Sequence, residues 1–258
     1  MSTPVIQAPS RLGLLARQAR FDTRQTLANG EQLLLTVLIP IGLLFGLVWA
    51  TGIPVDAGVD NAADYPRVAL VLPGVLTVAV LSSAFASLAI ATGFDRRSGS
   101  LLLLATTPLS RVDLVISRAM STVLIVATQT LLLGAVAIGL GWRPDLGDIA
   151  ALGYLLIGTV SLAACAIALA GLLRAEATLA LANGVFLVLL VAGGTALPAA
   201  ALPDAIGSIA RVLPSGALGD GLRGTMLDAP TNLGLVAVIL IVWFVGAGVL
   251  AKRTFRWD

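Results

Sequence analysis

Six stretches of this chain run for 23 to 27 residues without a single Asp, Glu, Lys or Arg: 32–55, 68–94, 119–142, 149–173, 177–203 and 229–251. A helix of that length rises roughly 35–40 Å at about 1.5 Å per residue, enough to cross a hydrocarbon core of about 30 Å with some tilt. Strands of a membrane barrel need only about ten residues and strict alternation. Runs such as LLLTVLIPIGLLFGLVWA do not alternate. Only 12% of the 258 residues are charged and 58% are apolar, whereas soluble domains are about one quarter charged. The pattern predicts an all-α integral membrane protein, with six transmembrane helices in one domain over 1–258.

The connections set the orientation. With both termini in the cytoplasm, the inner segments hold twelve basic residues and the outer segments four, namely Arg67, Arg143, Arg211 and Arg223. Eight of the fourteen acids also fall outside. That bias predicts cytoplasmic termini. The net charge of +2 therefore reflects membrane topology, and no nucleic-acid partner is expected. The first apolar run begins near Gln32, too late for a cleavable signal peptide. Histidine is absent, which removes His-based metal sites and general bases; no metal site is expected. Cys165 lies inside the fourth window and reads as a small packing residue.

Residues 9–29 form an amphipathic pattern. Arg17, Arg20 and Arg24 share one arc of a helical wheel, with Leu12, Leu15, Ala16, Ala19 and Thr23 opposite. Such a helix can lie on the inner leaflet. Between spans five and six, 198–231 is broken by prolines and glycines into two short apolar patterns, about 203–213 and 215–227. These read as short helices at the outer face, either a re-entrant hairpin or an external lid.

The inner connection between spans two and three reads FDRRSGSLLLLATTPLSRVD. Ser98 or Ser100 can cap a short helix through SLLLLA, and Pro108 stops it. Ser110 and Asp113 then match a capping box that opens the third span. Four consecutive leucines in such a loop need a partner, either the leaflet or a groove on another protein.

This loop and the six-span layout resemble the permeases of ABC exporters of type 2. Arg96-Arg97, Gly99-Ser100-Leu101, Leu103-Leu104, Thr107-Pro108-Leu109-Ser110-Arg111 and Arg118 follow the order of that family's coupling loop. Leu102 stands where the family usually has Glu. The resemblance implies a coupling helix within 95–113, an N-terminal interfacial helix and short external helices between spans five and six. It also implies a partner ATPase of the ATP-binding-cassette type, carrying ATP and Mg, and a second permease, identical or homologous. No G-x-x-x-x-G-K-[ST] phosphate loop occurs in the chain, so ATP hydrolysis belongs to the separate subunit and no cofactor is expected here. The Leu101–Leu104 face is expected in a groove of the ATPase, with Arg96, Arg97 and Arg111 on the rim.

The interior polar groups of the spans are neutral. Ser83, Ser87, Gln129 and Asn183, with Trp243, are candidates for a substrate path. Interhelical hydrogen bonds are the alternative role for the polar four. Apolar walls with neutral polar groups suit an amphipathic or hydrophobic cargo such as a drug, antibiotic or lipid-like molecule; the family resemblance implies its export across the plasma membrane. An ion-coupled transporter usually carries a charge at mid-span, and none stands there. A non-transporting scaffold is a third reading, one in which the loop tolerates change.

Overall fold

A computed structural model of the protein describes residues 11–28, 30, 34–50, 52–56, 58–60, 62–100, 110–195 and 198–254. The helices are α1 (Arg11–Ala28), α2 (Ile39–Trp49, entered through a π-helical turn, Leu34–Leu38), α3 (Arg67–Arg97), α4 (Arg111–Gly139), α5 (Asp148–Leu172), α6 (Ala175–Ala192), α7 (Asp204–Val212), α8 (Pro214–Met226) and α9 (Leu233–Thr254). No strand occurs among the described residues. Five helices, α3, α4, α5, α6 and α9, are long and apolar enough to cross a membrane. The chain is a multi-pass, all-α membrane protein.

Two of the six expected spans end earlier than their uncharged windows. The first, read as 32–55, ends as a helix at Trp49; residues 31–33, before its described part, lie outside the described residues. Its end is fixed by Arg67 at the start of α3. The Arg67 guanidinium donates to the carbonyls of Leu47, Ala50 and Ile53, at 3.0, 2.5 and 3.4 Å. Those of Leu47 and Ala50 are carbonyls a helix end leaves without an intrahelical partner. The fifth, read as 177–203, stops at Ala192, where the chain turns through Gly193 and a left-handed Gly194.

The bundle is built around α3, whose most apolar window is 94% buried inside the protein. Helices α2, α4, α5, α6 and α8 all pack against it. α5 and α9 run side by side in the same direction. Tyr154 Oη donates to the Leu233 carbonyl at 2.9 Å, and one helical stretch further on Ser161 Oγ donates to the Leu240 carbonyl. By contrast the α6 and α9 windows are only 17% and 11% buried. Most of their surface therefore faces lipid or another chain.

The segment 198–231 folds into a short 3-10 turn, then α7 and α8. α8 is not a surface lid. Nearly all of it is buried among α3, α5 and α9. Its small residues permit this approach: a Cβ on Gly158 of α5 would meet Leu218 Cδ1 at 2.7 Å, and one on Gly221 would meet Tyr154 Cδ1 at 2.6 Å. The buried Arg223 donates to the carbonyls of Gly194 and Thr195, at 3.1 and 2.8 Å, just beyond the end of α6.

A side chain at Gly216 has nowhere to go: its Cβ would lie 1.9 Å from the Ala210 carbonyl oxygen. Gly216→Ala should destabilise the protein by about 3 kcal/mol or more, through forced backbone movement. Gly153 on α5 has open space around it, so Gly153→Ala should stabilise by about 0.5–1 kcal/mol. Thermal melting of both variants in detergent checks this pair.

Candidate functional site

The end of the bundle holding Arg96, Arg97 and Arg174 is termed the basic end. The loop between α3 and α4 leaves and re-enters the bundle here. Leu101, Leu103, Leu104, Thr107, Pro108 and Leu109 lie outside the described residues, as does the side chain of Arg111. The two roots of the loop are described, and they are tightly held.

At the first root, α3 closes with Ser98 as its C-cap. Ser98 N–H donates to the Phe94 carbonyl at 2.9 Å, and Gly99 N–H to the Arg96 carbonyl at 3.2 Å. Gly99 has a φ of +73°, the left-handed conformation that ends helices and favours glycine. Ser98 and Ser100 hydroxyls lie 2.7 Å apart. Arg96 turns toward the bundle. Its Nη1 donates to the carbonyls of Ala170 and Leu173, at 2.8 and 3.0 Å. A cation at a helix C-terminus also meets the negative end of the helix dipole. Arg96 thus ties α3 to the end of α5 rather than standing on an open rim. Arg97 is exposed and pairs with Glu176 of α6 at 3.2 Å.

At the second root, the capping box read from the sequence is complete. Asp113 N–H donates to Ser110 Oγ, and Ser110 N–H donates to Asp113 Oδ2, both at 3.1 Å. Asp113 also holds Arg11 of α1 at 2.7 Å. Further along, Thr23 Oγ1 donates to Ser121 Oγ at 3.1 Å. These two contacts run α1 lengthwise along the first turns of α4. Leu15 and Ala19 are buried in that seam, while Arg17, Arg20 and Arg24 face outward. Leu12 and Ala16, read on the apolar arc, are exposed.

Arg118 joins the two roots. It lies on α4 and is only 8% exposed. Its Nη2 reaches Asp95 Oδ2 at 2.5 Å and its Nη1 donates to Thr92 Oγ1 at 2.9 Å, both on α3. Thr92 and Asp95 are three residues apart, so they share one helical face.

The polar candidates of the spans divide into two groups. Ser83 and Gln129 meet in the core: Gln129 Nε2 donates to Ser83 Oγ at 2.8 Å and to the Thr36 carbonyl at 2.5 Å. This junction ties α3, α4 and the π-helical turn before α2. Ser83 and Ser87 belong to a second π-helical stretch, Leu81–Ser87, inside α3. Such stretches are frequent at functional sites. Ser83 and Ser87 also line a polar cavity of about 220 Å³, which extends to Asp22, Asp95 and Arg118 at the basic end. Asn183 and Trp243 are elsewhere, on the exposed faces of α6 and α9. Trp243 Nε1 donates to the Val212 carbonyl at 2.9 Å.

Asp22 was not among the residues singled out by sequence. Its available signal is that it is the one acid between Pro9 and Asn29. Burial pushes its carboxyl above the usual carboxylate range, opposed by the charge of Arg118 and a hydrogen bond from Gln18.

The family model described as "ABC-2 family transporter protein" matches residues 50–251. No match to a curated protein was found. The match spans most of the chain, and the protein belongs to the ABC-2 family of transporter membrane proteins, as a permease component.

Two outcomes test the electrostatics. Asp95→Asn or Arg118→Gln alone should cost about 2–3 kcal/mol, each leaving its partner charge without its counter-ion. The double variant should recover part of that loss in a melting-based double-mutant cycle. For Asp22, the raised folded-state pKa means ionisation opposes folding. Its contribution should be intact below the ordinary carboxylate pKa and lost as pH rises through the raised value. Asp22→Asn should flatten the corresponding part of a melting temperature against pH curve.

Proposed function

We propose that the chain is the transmembrane permease subunit of an ATP-driven ABC exporter. The observation that carries this reading is an ABC-2 membrane domain whose α3–α4 loop is clamped at both roots to the helices around it. A force applied to such a loop is delivered to α1, α3, α4, α5 and α6 together.

The chain lacks a phosphate loop, so the ATP and Mg that supply the work are assigned to a separate ATP-binding-cassette subunit. The Leu101–Leu104 stretch docks in a groove of that subunit. Buried leucines contribute about 1.5–3 kcal/mol each to such a contact. Arg97 and Arg111 lie at its margin; Arg96 acts from behind, holding the loop to α5. The basic end faces the cytoplasm of a cell's plasma membrane, with both termini on that side, in line with the twelve-to-four distribution of basic residues.

The permease works as a pair, either two copies or a copy and a homologue. Asn183 supports this. It sits near the middle of α6 on an exposed face, and an amide left in hydrocarbon is costly unless another helix bonds it. Ser83 and Ser87 of the central helix α3, with Gln129 of α4, form the polar lining of the path. Cargo leaves the cytoplasm or the inner leaflet, and neutral polar groups among apolar walls suit an amphipathic or hydrophobic molecule.

Leu103→Asp places a charge in the docking groove. It should weaken capture of the ATPase subunit by roughly 100-fold, about 3 kcal/mol, and abolish ATP-driven transport in vesicles without unfolding the permease. Transport that persists without nucleotide, or in this variant, contradicts the reading.

A further inference from the structure

The segment between α6 and α9 reaches into the membrane. α7 and α8 are joined at Leu213. The carbonyl of Val212, just before that joint, accepts from Trp243 Nε1 at 2.9 Å. Trp243 is ten residues beyond Leu233, the first of α9, which places it roughly 15 Å from the outer end of that helix, opposite the basic end. On the other side, Leu218 of α8 packs against Gly158, ten residues beyond Asp148, the first of α5. The far end of α8 returns to the outer end of α5, where a Cβ on Gly147 would meet the Thr225 carbonyl at 3.2 Å. α7 and α8 therefore form a re-entrant hairpin, its tip about half-way through a hydrocarbon core of about 30 Å.

A cavity of about 340 Å³ runs beside this hairpin, far larger than the ~10–15 Å³ that one water needs. Its wall holds Arg211 of α7, Asp220 and Arg223 of α8, and Leu235 and Ile239 of α9. It extends to Gly58, Thr231 and Asn232 of the outer connections. Arg211 is exposed and adjoins Val212 at the tip. An ionised side chain at membrane depth is costly in hydrocarbon and is held where it faces the bundle interior or a water-filled cavity. Arg223 takes the first course: it is buried, donates to the Gly194 and Thr195 carbonyls, and stands 3.8 Å from Asp220 Oδ1. Arg211 takes the second.

We propose that this cavity is a water-filled vestibule, open to the outer side, that carries water past Leu235 and Ile239 to Arg211 at the hairpin tip. Hydrophilic solutes from outside then reach about half the depth of the membrane. The tip itself, where Gly216 sits against Ala210 and Gly193 with no room for a side chain, is the seal beneath the water. The vestibule shares no residue with the cavity lined by Ser83 and Ser87. It rests on the orientation given above, with the basic end inside, and not on ATP coupling.

The test is thiol labelling of single-cysteine variants of the full-length protein in cell membranes, in a Cys165→Ala background that removes its one cysteine. The probe is the membrane-impermeant reagent 2-sulfonatoethyl methanethiosulfonate, which reacts with the hydrated thiolate. Leu235→Cys, Ile239→Cys and Arg211→Cys should be labelled from the outer side. Val238→Cys and Ile241→Cys, neighbours of Ile239 on α9, should react roughly tenfold more slowly or less, because a thiol in hydrocarbon stays protonated. Exposure alone gives the reverse order, since Val238 and Ile241 are 55% and 48% exposed and Ile239 is half-buried. Arg211→Cys removes a charge, so the α9 variants decide the matter should it fail to fold. Labelling of the vestibule positions only in inverted vesicles upholds the vestibule and reverses the orientation. No labelling of Ile239→Cys from either side, or equal rates at Ile239→Cys and Val238→Cys, overturns the proposal.

Discussion

Arg118 sits where a cation is expensive to hold. It is buried on α4, and Asp95 and Thr92 on α3 make its position tolerable. Removing a charge from water costs several kcal/mol per ion unless geometry and further hydrogen bonds return it. The arrangement therefore fixes α3 against α4 at the point where the connecting loop leaves the bundle. The other contacts at this end extend the same device. Arg96 carries the grip to the end of α5, Arg97 to α6, and Asp113 to α1.

This distribution of contacts separates two mechanical regions. The roots of the loop share charges and carbonyls with every helix around them. The outward faces of α6 and α9 share almost nothing with the rest of the chain, and there an amide, Asn183, is left exposed. Between them runs α3, buried along most of its length. Its π-helical stretch presents Ser83 and Ser87 to the cavity, and Ser83 to Gln129. A central helix with a non-α turn at its polar junction, clamped at one end, is suited to convey movement from that end to the interior.

Much of the architecture was legible from charge alone. The second and fourth windows, 68–94 and 149–173, fall within two or three residues of Arg67–Arg97 and Asp148–Leu172. The Ser110–Asp113 box was legible because a cap is local chemistry. The early helix ends at Trp49 and Ala192 were not. The end of α2 depends on Arg67, whose reach to Leu47 spans twenty residues of sequence, and the end of α6 on a left-handed Gly194. The depth of α8 was hidden for a related reason: close packing of small residues is visible only once Gly158 faces Leu218. Gln129 and Asn183 look alike in sequence, as amides in uncharged windows, yet one is buried at a junction and the other faces outward. Arg118 and Asp95 are separated by the loop itself, so their pairing is a tertiary fact.

If the chain works with an ATP-binding-cassette subunit as proposed, the loop roots and the surrounding helices should move as one body when that subunit binds nucleotide. Paired spin labels at Ser98 and Arg174, both exposed, measure it in the assembled transporter once the native Cys165 is replaced by alanine. Electron–electron distance measurements with and without ATP and Mg should show the Ser98–Arg174 distance within one chain unchanged, while the distance between Ser98 labels of paired permeases shifts. A within-chain distance that changes on nucleotide binding, with the paired permeases holding still, would contradict the account.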